Sequence, residues 1–334
     1  MAKIIFHSND LGVRGTVQAI YDYAHHAEEV LGHTSVIAYP DNAANTDQAV
    51  VDKFSARFEL MCYDQLSDIA GSGADLTYFM KYGGKDDLVS PDTPSAIHAV
   101  FQAFEPHGQT YAYISEWLAD YCTGGRYPYV PYMVTLPPGT SQRDKWGIPD
   151  DAFVYGRYGG YETFDLPFVK AQIPALLEDP KVWCVFINTE KFIEHPRALF
   201  LPSITLPTDK SDFIMTCDAM IHGRHRGESF GLAHCEFLFH GRPVVAWAGG
   251  KDAHHRVMLE QAPRALYTDG DDFLAKARAL RDGSDFNWRS LVAPFAPEPV
   301  MHKFQQVFVD CAEPPRGNDT MTALSYRLRK LIRR

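Results

Sequence analysis

Short apolar runs alternate with stretches of helical period along the whole chain, and this pattern predicts most of the fold. Lys3-Ile4-Ile5-Phe6-His7 reads as a first buried strand that stops at the polar Ser8-Asn9-Asp10. Beyond it, Val17, Ile20, Tyr21, Ala24 and Ala27 recur at helical spacing, and the helix ends near Gly32-His33. Residues 34–39 form the next apolar run. Strand, Gly-bearing loop, helix and strand in that order make a Rossmann-type unit. Further strands are predicted at 58–62, 76–80, 95–100 and 111–115, with helices at 50–58, 65–70 and 116–121. Alternation at this pitch means a parallel sheet covered on both faces.

Pro and Gly collect between Tyr127 and Thr140, break the alternation and mark a linker. A second α/β series follows, with strands at 153–157, 182–188, 198–201, 219–222, 243–247 and 265–267. Its helices fall at 166–177, 208–217, 257–261 and 271–281, and helices at 300–311 and 322–332 close the chain. The expected organisation is a Rossmann-like domain over 1–140, a second Rossmann-like domain over 141–311, and a basic C-terminal helix within 312–334, free to cross back to the first domain. A length of 334 residues agrees with two domains. Ligands bind beyond the carboxyl ends of the strands in open α/β sheets, so a site made from both halves across a cleft is expected.

Composition adds little to this picture: 46% hydrophobic and 22% charged residues describe an ordinary globular chain. Charge adds more. A net charge of −10 argues against nucleic acid as a partner. Against that trend, Arg327, Arg329, Lys330, Arg333 and Arg334 form a basic run without an acid. The run reads either as a solvated final helix or as a weak contact for an anionic membrane surface. The six cysteines show no C-x-x-C spacing and read as buried thiols in a reducing compartment. The apolar start is broken at once by His7-Ser8-Asn9-Asp10, unlike a signal peptide, and no apolar run approaches a membrane span, so a cytoplasmic protein is expected.

Candidate chemistry concentrates in Gly227-Glu228-Ser229-Phe230-Gly231-Leu232-Ala233-His234-Cys235-Glu236, followed by Gly241-Arg242-Pro243-Val244-Val245-Ala246. Glu228 falls between a strand and a helix that begins near Gly231, at the rim of the sheet. Ser229 is the expected helix cap, and the amides of Phe230, Gly231 and Leu232 would face a phosphate. Glu236 lies more than a turn into that helix. Arg157, at a strand end before two glycines, has the forked donor geometry that clamps a diphosphate. Arg224 and Arg226 are further cations, and His98 is expected at a strand end facing the cleft. Each has a plainer alternative: a cap for Glu228, a solvated face for Glu236, a salt bridge for Arg157 and a structural ring for His98. Gly12 and Gly15 do not form G-x-G-x-x-G and suit either a close ligand approach or a tight turn. His254-His255 is not a metal pair, because adjacent side chains diverge and no acid or Cys stands at ligand spacing; no Asp-x-Asp pair in a plausible loop offers an alternative.

The chain resembles retaining glycosyltransferases of the family-four type, which have the GT-B architecture of two Rossmann-like domains with parallel sheets facing across a cleft. Glu228-x7-Glu236 with Phe230-Gly231-Leu232 and Gly241-Arg242-Pro243-Val244-Val245 is similar to that family's donor-site signature, and Gly156-Arg157 to its Gly-Arg strand end. Gly12-Val13-Arg14-Gly15-Thr16 and Cys217-Asp218-Ala219-Met220-Ile221-His222 are similar to members found in large DNA viruses and some bacteria. The resemblance implies transfer of a sugar from a nucleotide-diphosphate sugar to the hydroxyl of a glycan, lipid or protein-linked sugar, with retention and without a metal. It implies that Glu228 and His98 are catalytic and that Glu236 binds the ribose. Arg157, Gly231, Leu232, Arg224 and Lys191 would serve the diphosphate, and Gly12, Val13, Arg14 and Gly15 the donor and acceptor. Such enzymes usually carry a Lys soon after the Arg, but residues 158–165 have none, which leaves Arg224, Arg226 and Lys191 as candidates for the second cation. The other readings are a sugar-nucleotide epimerase or glycan phosphorylase on the same plan, and a non-catalytic sugar-nucleotide-binding module.

Overall fold

A computed structural model of the chain describes residues 1–204, 206–262, 264–283, 285–311 and 319–332. Arg333 and Arg334 of the basic run, and residues 312–318, lie outside the described residues. The chain divides into two compact units, Met1–Met133 with Phe295–Arg334 and Val134–Pro294. Each is built on a six-stranded parallel sheet.

The first unit runs β1 (Lys3–His7), α1 (Gly15–Glu29), β2 (Thr34–Pro40), α2 (Gln48–Ser55), β3 (Glu59–Tyr63), β4 (Leu76–Lys81), β5 (Ser95–Ala99), β6 (Thr110–Tyr113) and α3 (Glu116–Thr123). Its sheet has the order β3-β2-β1-β4-β5-β6. Every residue of β4 and β5 is buried, as expected of strands covered on both faces. Helix α1 turns Val17, Ala19, Ile20, Tyr23, Ala24 and Ala27 inward. Helix α3 starts at Ser115, whose hydroxyl accepts from the Leu118 amide, and stops at Gly124, where φ is 65°.

The second unit contains α4 (Arg143–Trp146), β7 (Phe153–Arg157), α5 (Pro167–Leu177), β8 (Val182–Ile187), β9 (Ala198–Leu201), α6 (Pro207–Thr216), β10 (Ala219–His222) and β11 (Gly227–Glu228). It continues through α7 (Leu232–Phe239), β12 (Val244–Trp247), β13 (Asp252–Ala253), α8 (His254–Leu259), β14 (Leu266–Tyr267) and α9 (Gly270–Leu280). Six of these strands form the sheet β14-β12-β10-β7-β8-β9, and β11 pairs with β13 apart from it.

The chain then returns to the first unit with α10 (Pro297–Phe304) and α11 (Asp319–Ile332). Residues 295–311, expected with the second domain, pack instead on the first. Phe304 and Phe308 explain why. Phe304 is fully buried, with its ring 6.0 Å from Phe6, 5.5 Å from Tyr23 and 5.4 Å from Tyr78. Phe308 adds a 5.2 Å contact to the ring of His98. Polar bonds reinforce the return: His33 Nε2 lies 2.6 Å from Gln305 Oε1, and the Tyr127 hydroxyl donates to Asp319 at 2.7 Å. Cys122, Cys184, Cys217 and Cys235 are buried as expected, but Cys62 is exposed and Cys311 half-buried. No helix among the described residues is long and apolar enough to cross a membrane.

Phe304→Ala should therefore destabilise the first unit by about 3–5 kcal/mol, the usual cost of emptying a packed aromatic site. Chemical denaturation followed through the aromatic signals checks this; a loss under about 1 kcal/mol would mean the returning segment is not part of that core.

Candidate functional site

Strand β10 ends at His222, whose carbonyl accepts from the Tyr267 hydroxyl at 2.8 Å. The loop that follows is tied down twice. Asp165 accepts from the His225 amide at 2.6 Å, and Arg226 Nε donates to buried Asp252 at 2.6 Å. Gly227 then meets β13 so closely that a Cβ would stand 2.0 Å from the Asp252 carbonyl oxygen, and its φ is +76°. These restraints deliver Glu228 to a fixed place.

There the carboxylate receives two hydrogen bonds. His222 Nε2 donates to one oxygen at 3.0 Å, and Arg224 Nη1 donates to the other at 2.8 Å. Burial pushes the Glu228 pKa up, but the bond from His222 and the attraction of His222 and Arg224 outweigh it. The pKa lies below the ordinary glutamate value, so the group is ionised at neutral pH.

Three histidine rings gather behind this carboxylate. His222 lies 5.7 Å from His234 and 5.3 Å from His255, and His234 lies 6.2 Å from His255. The Glu228 amide donates to His255 Nδ1 at 3.2 Å, so the proton of neutral His255 sits on Nε2 and goes to the Trp247 carbonyl at 2.9 Å. Burial lowers the pKa of His255 to about 3 and that of neighbouring His254 to about 4. His234 is 1% exposed, and neither of its ring nitrogens has a hydrogen-bond partner. Among the described residues no group of three or more His, Cys, Asp and Glu has an arrangement suited to a metal ion.

Helix α7 starts against this cluster. Gly231 is its N-cap, with φ 92° and no side-chain cap, in place of the expected Ser229. A Cβ on Gly231 would lie 1.9 Å from the His234 ring and 3.0 Å from the Glu228 Cβ. Only glycine lets the helix start lie between the two. The first amides of α7, from Leu232 on, have no partner within the helix. Glu236 is 5% exposed, so the solvated-face alternative fails. Lys210 on α6 reaches its Oε1 at 3.3 Å.

Arg157 ends β7 and is 3% exposed. Its Nη1 donates to Asn188 O at 3.0 Å and to Thr189 Oγ1, and its Nη2 to Gly160 O at 2.8 Å and Thr163 Oγ1 at 2.7 Å. The side chain thus ties the 158–163 loop to the end of β8. Burial lowers its pKa to about 10, while Glu228 and Asp165 act to raise it, so it stays charged at neutral pH. Lys191 is more than half exposed and paired with Glu194.

The remaining candidates belong to the first unit. His98 does not end a strand facing outward: it is the fourth of five residues in β5 and fully buried. Its Nδ1 meets the Tyr78 hydroxyl at 2.6 Å, and burial lowers its pKa to about 3. Gly12 packs against its own chain, where a Cβ would come 2.4 Å from the Asn45 carbonyl oxygen. Val13 is 61% exposed, Arg14 lies 3.6 Å from Asp10, and Gly15 opens α1.

Sequence reasoning missed Lys210, His222 and His234 as site residues. Lys210 carries no local signal, since it meets Glu236 across 26 positions. His222 and His234 were in view, one at the strand end and one between the two glutamates.

No protein-family model and no curated protein matches the sequence. Solved structures match along nearly its full length. HepE from Anabaena, in complex with UDP-glucose, superposes with a TM-score of 0.62 at 13% identity, covering 98% of each chain. AviGT4, a glycosyltransferase involved in avilamycin A biosynthesis, gives 0.63 at 14% identity over 94% of this chain and 99% of its own. WaaG, a glycosyltransferase involved in lipopolysaccharide biosynthesis, gives 0.56 at 11% identity over 94% and 100%. The fold is the GT-B architecture.

The buried histidines make stability depend on pH. His255, His98 and His7 stay neutral in the fold down to about 3 and His254 to about 4, whereas unfolded histidine takes up its proton near 6.5. Their contribution is complete above about pH 6.5 and is lost as pH falls below it, at about 1.4 kcal/mol per pH unit for each ring. Denaturation midpoints measured from pH 7 to 5 should fall steeply, and less steeply in His255→Gln; a flat profile would contradict the neutral, buried state.

Proposed function

We propose that this chain is a retaining glycosyltransferase that takes its sugar from a nucleoside-diphosphate sugar. The observation that carries the reading is the Glu228 carboxylate, held ionised by His222 and Arg224 beside the start of α7. An ionised acid next to a helix N-terminus offers one group for hydroxyls and positive charge and another for phosphates. The likeness to HepE, which was solved with UDP-glucose, supports a UDP-sugar as the first donor to test.

In this reading the Glu228 carboxylate binds hydroxyls of the donor sugar. As the bond from the anomeric carbon to the diphosphate oxygen breaks, it steadies the positive charge that develops on the ring. The leaving diphosphate sits on the amides that begin at Gly231 and Leu232. Arg224 and Arg157 balance its charge, Arg157 through the field of its guanidinium, because its donors hold the 158–163 loop. Glu236, steadied by Lys210, takes the ribose hydroxyls. The acceptor hydroxyl attacks from the face the diphosphate leaves, and its proton passes to the departing phosphate oxygen. Configuration is thereby retained with no covalent sugar on the protein. Cationic side chains and helix amides carry the leaving-group charge, so this route calls for no metal. The 10–16 loop serves the donor and acceptor, and His98, sealed in the core, has no direct contact with substrate.

Glu228→Gln should lower turnover of UDP-glucose, read as release of free UDP with and without added glycans, by about 10²–10³-fold. Donor binding, read as the rise in melting temperature with ligand, should change little. Undiminished turnover would remove Glu228 from its role. A covalent sugar on a carboxylate, trapped during turnover, would overturn the same-face route.

A further inference from the structure

The outer face of α11 is apolar where a surface helix is ordinarily polar. Thr322 and Tyr326 face inward, and the Tyr326 hydroxyl donates to the Gln102 carbonyl at 2.8 Å. Arg329 Nη2 donates to the Cys122 carbonyl at 3.0 Å, in the last turn of α3. These contacts fix the rotation of α11 and turn a different set of side chains outward. Met321, Leu324, Leu328 and Leu331 are 58%, 52%, 52% and 68% exposed. Their spacing of three, four and three places them on one stripe of the helix. They are four of the ten large apolar side chains left most exposed among the described residues. Exposed Arg327 borders the stripe, and exposed Lys330 lies further round the helix, its ammonium 5.8 Å from the centre of the Tyr326 ring.

We propose that this face of α11 docks on an anionic lipid surface. A 14-residue helix, about 21 Å long, that carries leucines on one stripe with Arg327 beside it suits a bed in the headgroup layer, and it is too short and too charged to span. Charge selects the occupant. The whole chain carries −10, yet α11 holds Arg327, Arg329 and Lys330 against the single acid Asp319. Anionic headgroups complement that set. A second copy paired about a two-fold axis would bring like charges toward each other. Each basic residue at such a surface adds roughly fivefold to binding, and the attraction is screened by salt. The proposal stands apart from the reading of the sugar site.

The test is flotation of the full chain with vesicles of phosphatidylcholine alone and of phosphatidylcholine with phosphatidylserine. The chain should float with the phosphatidylserine vesicles, at least tenfold more weakly with phosphatidylcholine alone, and be released by high salt. Leu324→Glu with Leu328→Glu should abolish flotation and leave the circular dichroism and melting temperature unchanged, since both side chains already face outward. Arg327→Glu with Lys330→Glu should weaken it by about 25-fold or more. Failure of the unmodified chain to float with either vesicle would overturn the proposal, as would undiminished flotation of the leucine pair variant. Light scattering that shows a dimer split by Leu324→Glu with Leu328→Glu, without vesicle binding, would assign the face to a second copy and overturn it as well.

Discussion

A carboxylate largely removed from water must be compensated or it takes up a proton, and the second unit is arranged around that requirement at Glu228. His222 arrives from the end of β10, Arg224 from the loop behind it, and His255 from the start of α8. Each depends on a close approach elsewhere. Gly227 lets β11 lie on β13, and Gly231 lets α7 begin between the Glu228 Cβ and the His234 ring. A side chain at either glycine would move the carboxylate relative to its partners. The glycines and histidines of this stretch are therefore one device, and the ionised state of one acid is its product. His234, buried with both ring nitrogens unpartnered, is the costly member of the group and fixes how closely the helix start can pack.

The first unit rests on a different constraint. Its core is finished by chain that has already passed through the second unit, because Phe304 and Phe308 complete an aromatic cluster with Phe6, Tyr23, Tyr78 and His98. Non-local closure of this kind delays the full core until residues nearly 300 positions apart have met, at a cost in loop-closure entropy. The reward is that α11 is held in one rotation by Tyr326 and Arg329, which leaves its leucine stripe facing outward.

Much of this was legible in the sequence, for a physical reason. Parallel strands covered on both faces read as short apolar runs, and all twelve strands of the two large sheets sit on such runs. The acids of the Glu228–Glu236 segment and the strand-end Arg157 also stood out, because spacing and turn chemistry are local. Contacts between distant positions were not legible. Strands β11 and β13 are two residues each, too short to show any period. Lys210 and Glu236 meet through tertiary packing alone. His98 read as a residue at a strand end, but Ala99 still follows it in β5 and its ring is fully buried. The placement of 295–311 failed likewise, since apolar helices say that they pack but not on which core.

The most direct measurement is a crystal structure of the chain grown with a nucleoside-diphosphate sugar. Sugar hydroxyls are expected against the Glu228 carboxylate, diphosphate oxygens on the amides that open α7, and ribose hydroxyls at Glu236. A nucleotide seated elsewhere in the second unit, or a sugar turned away from Glu228, would contradict this arrangement.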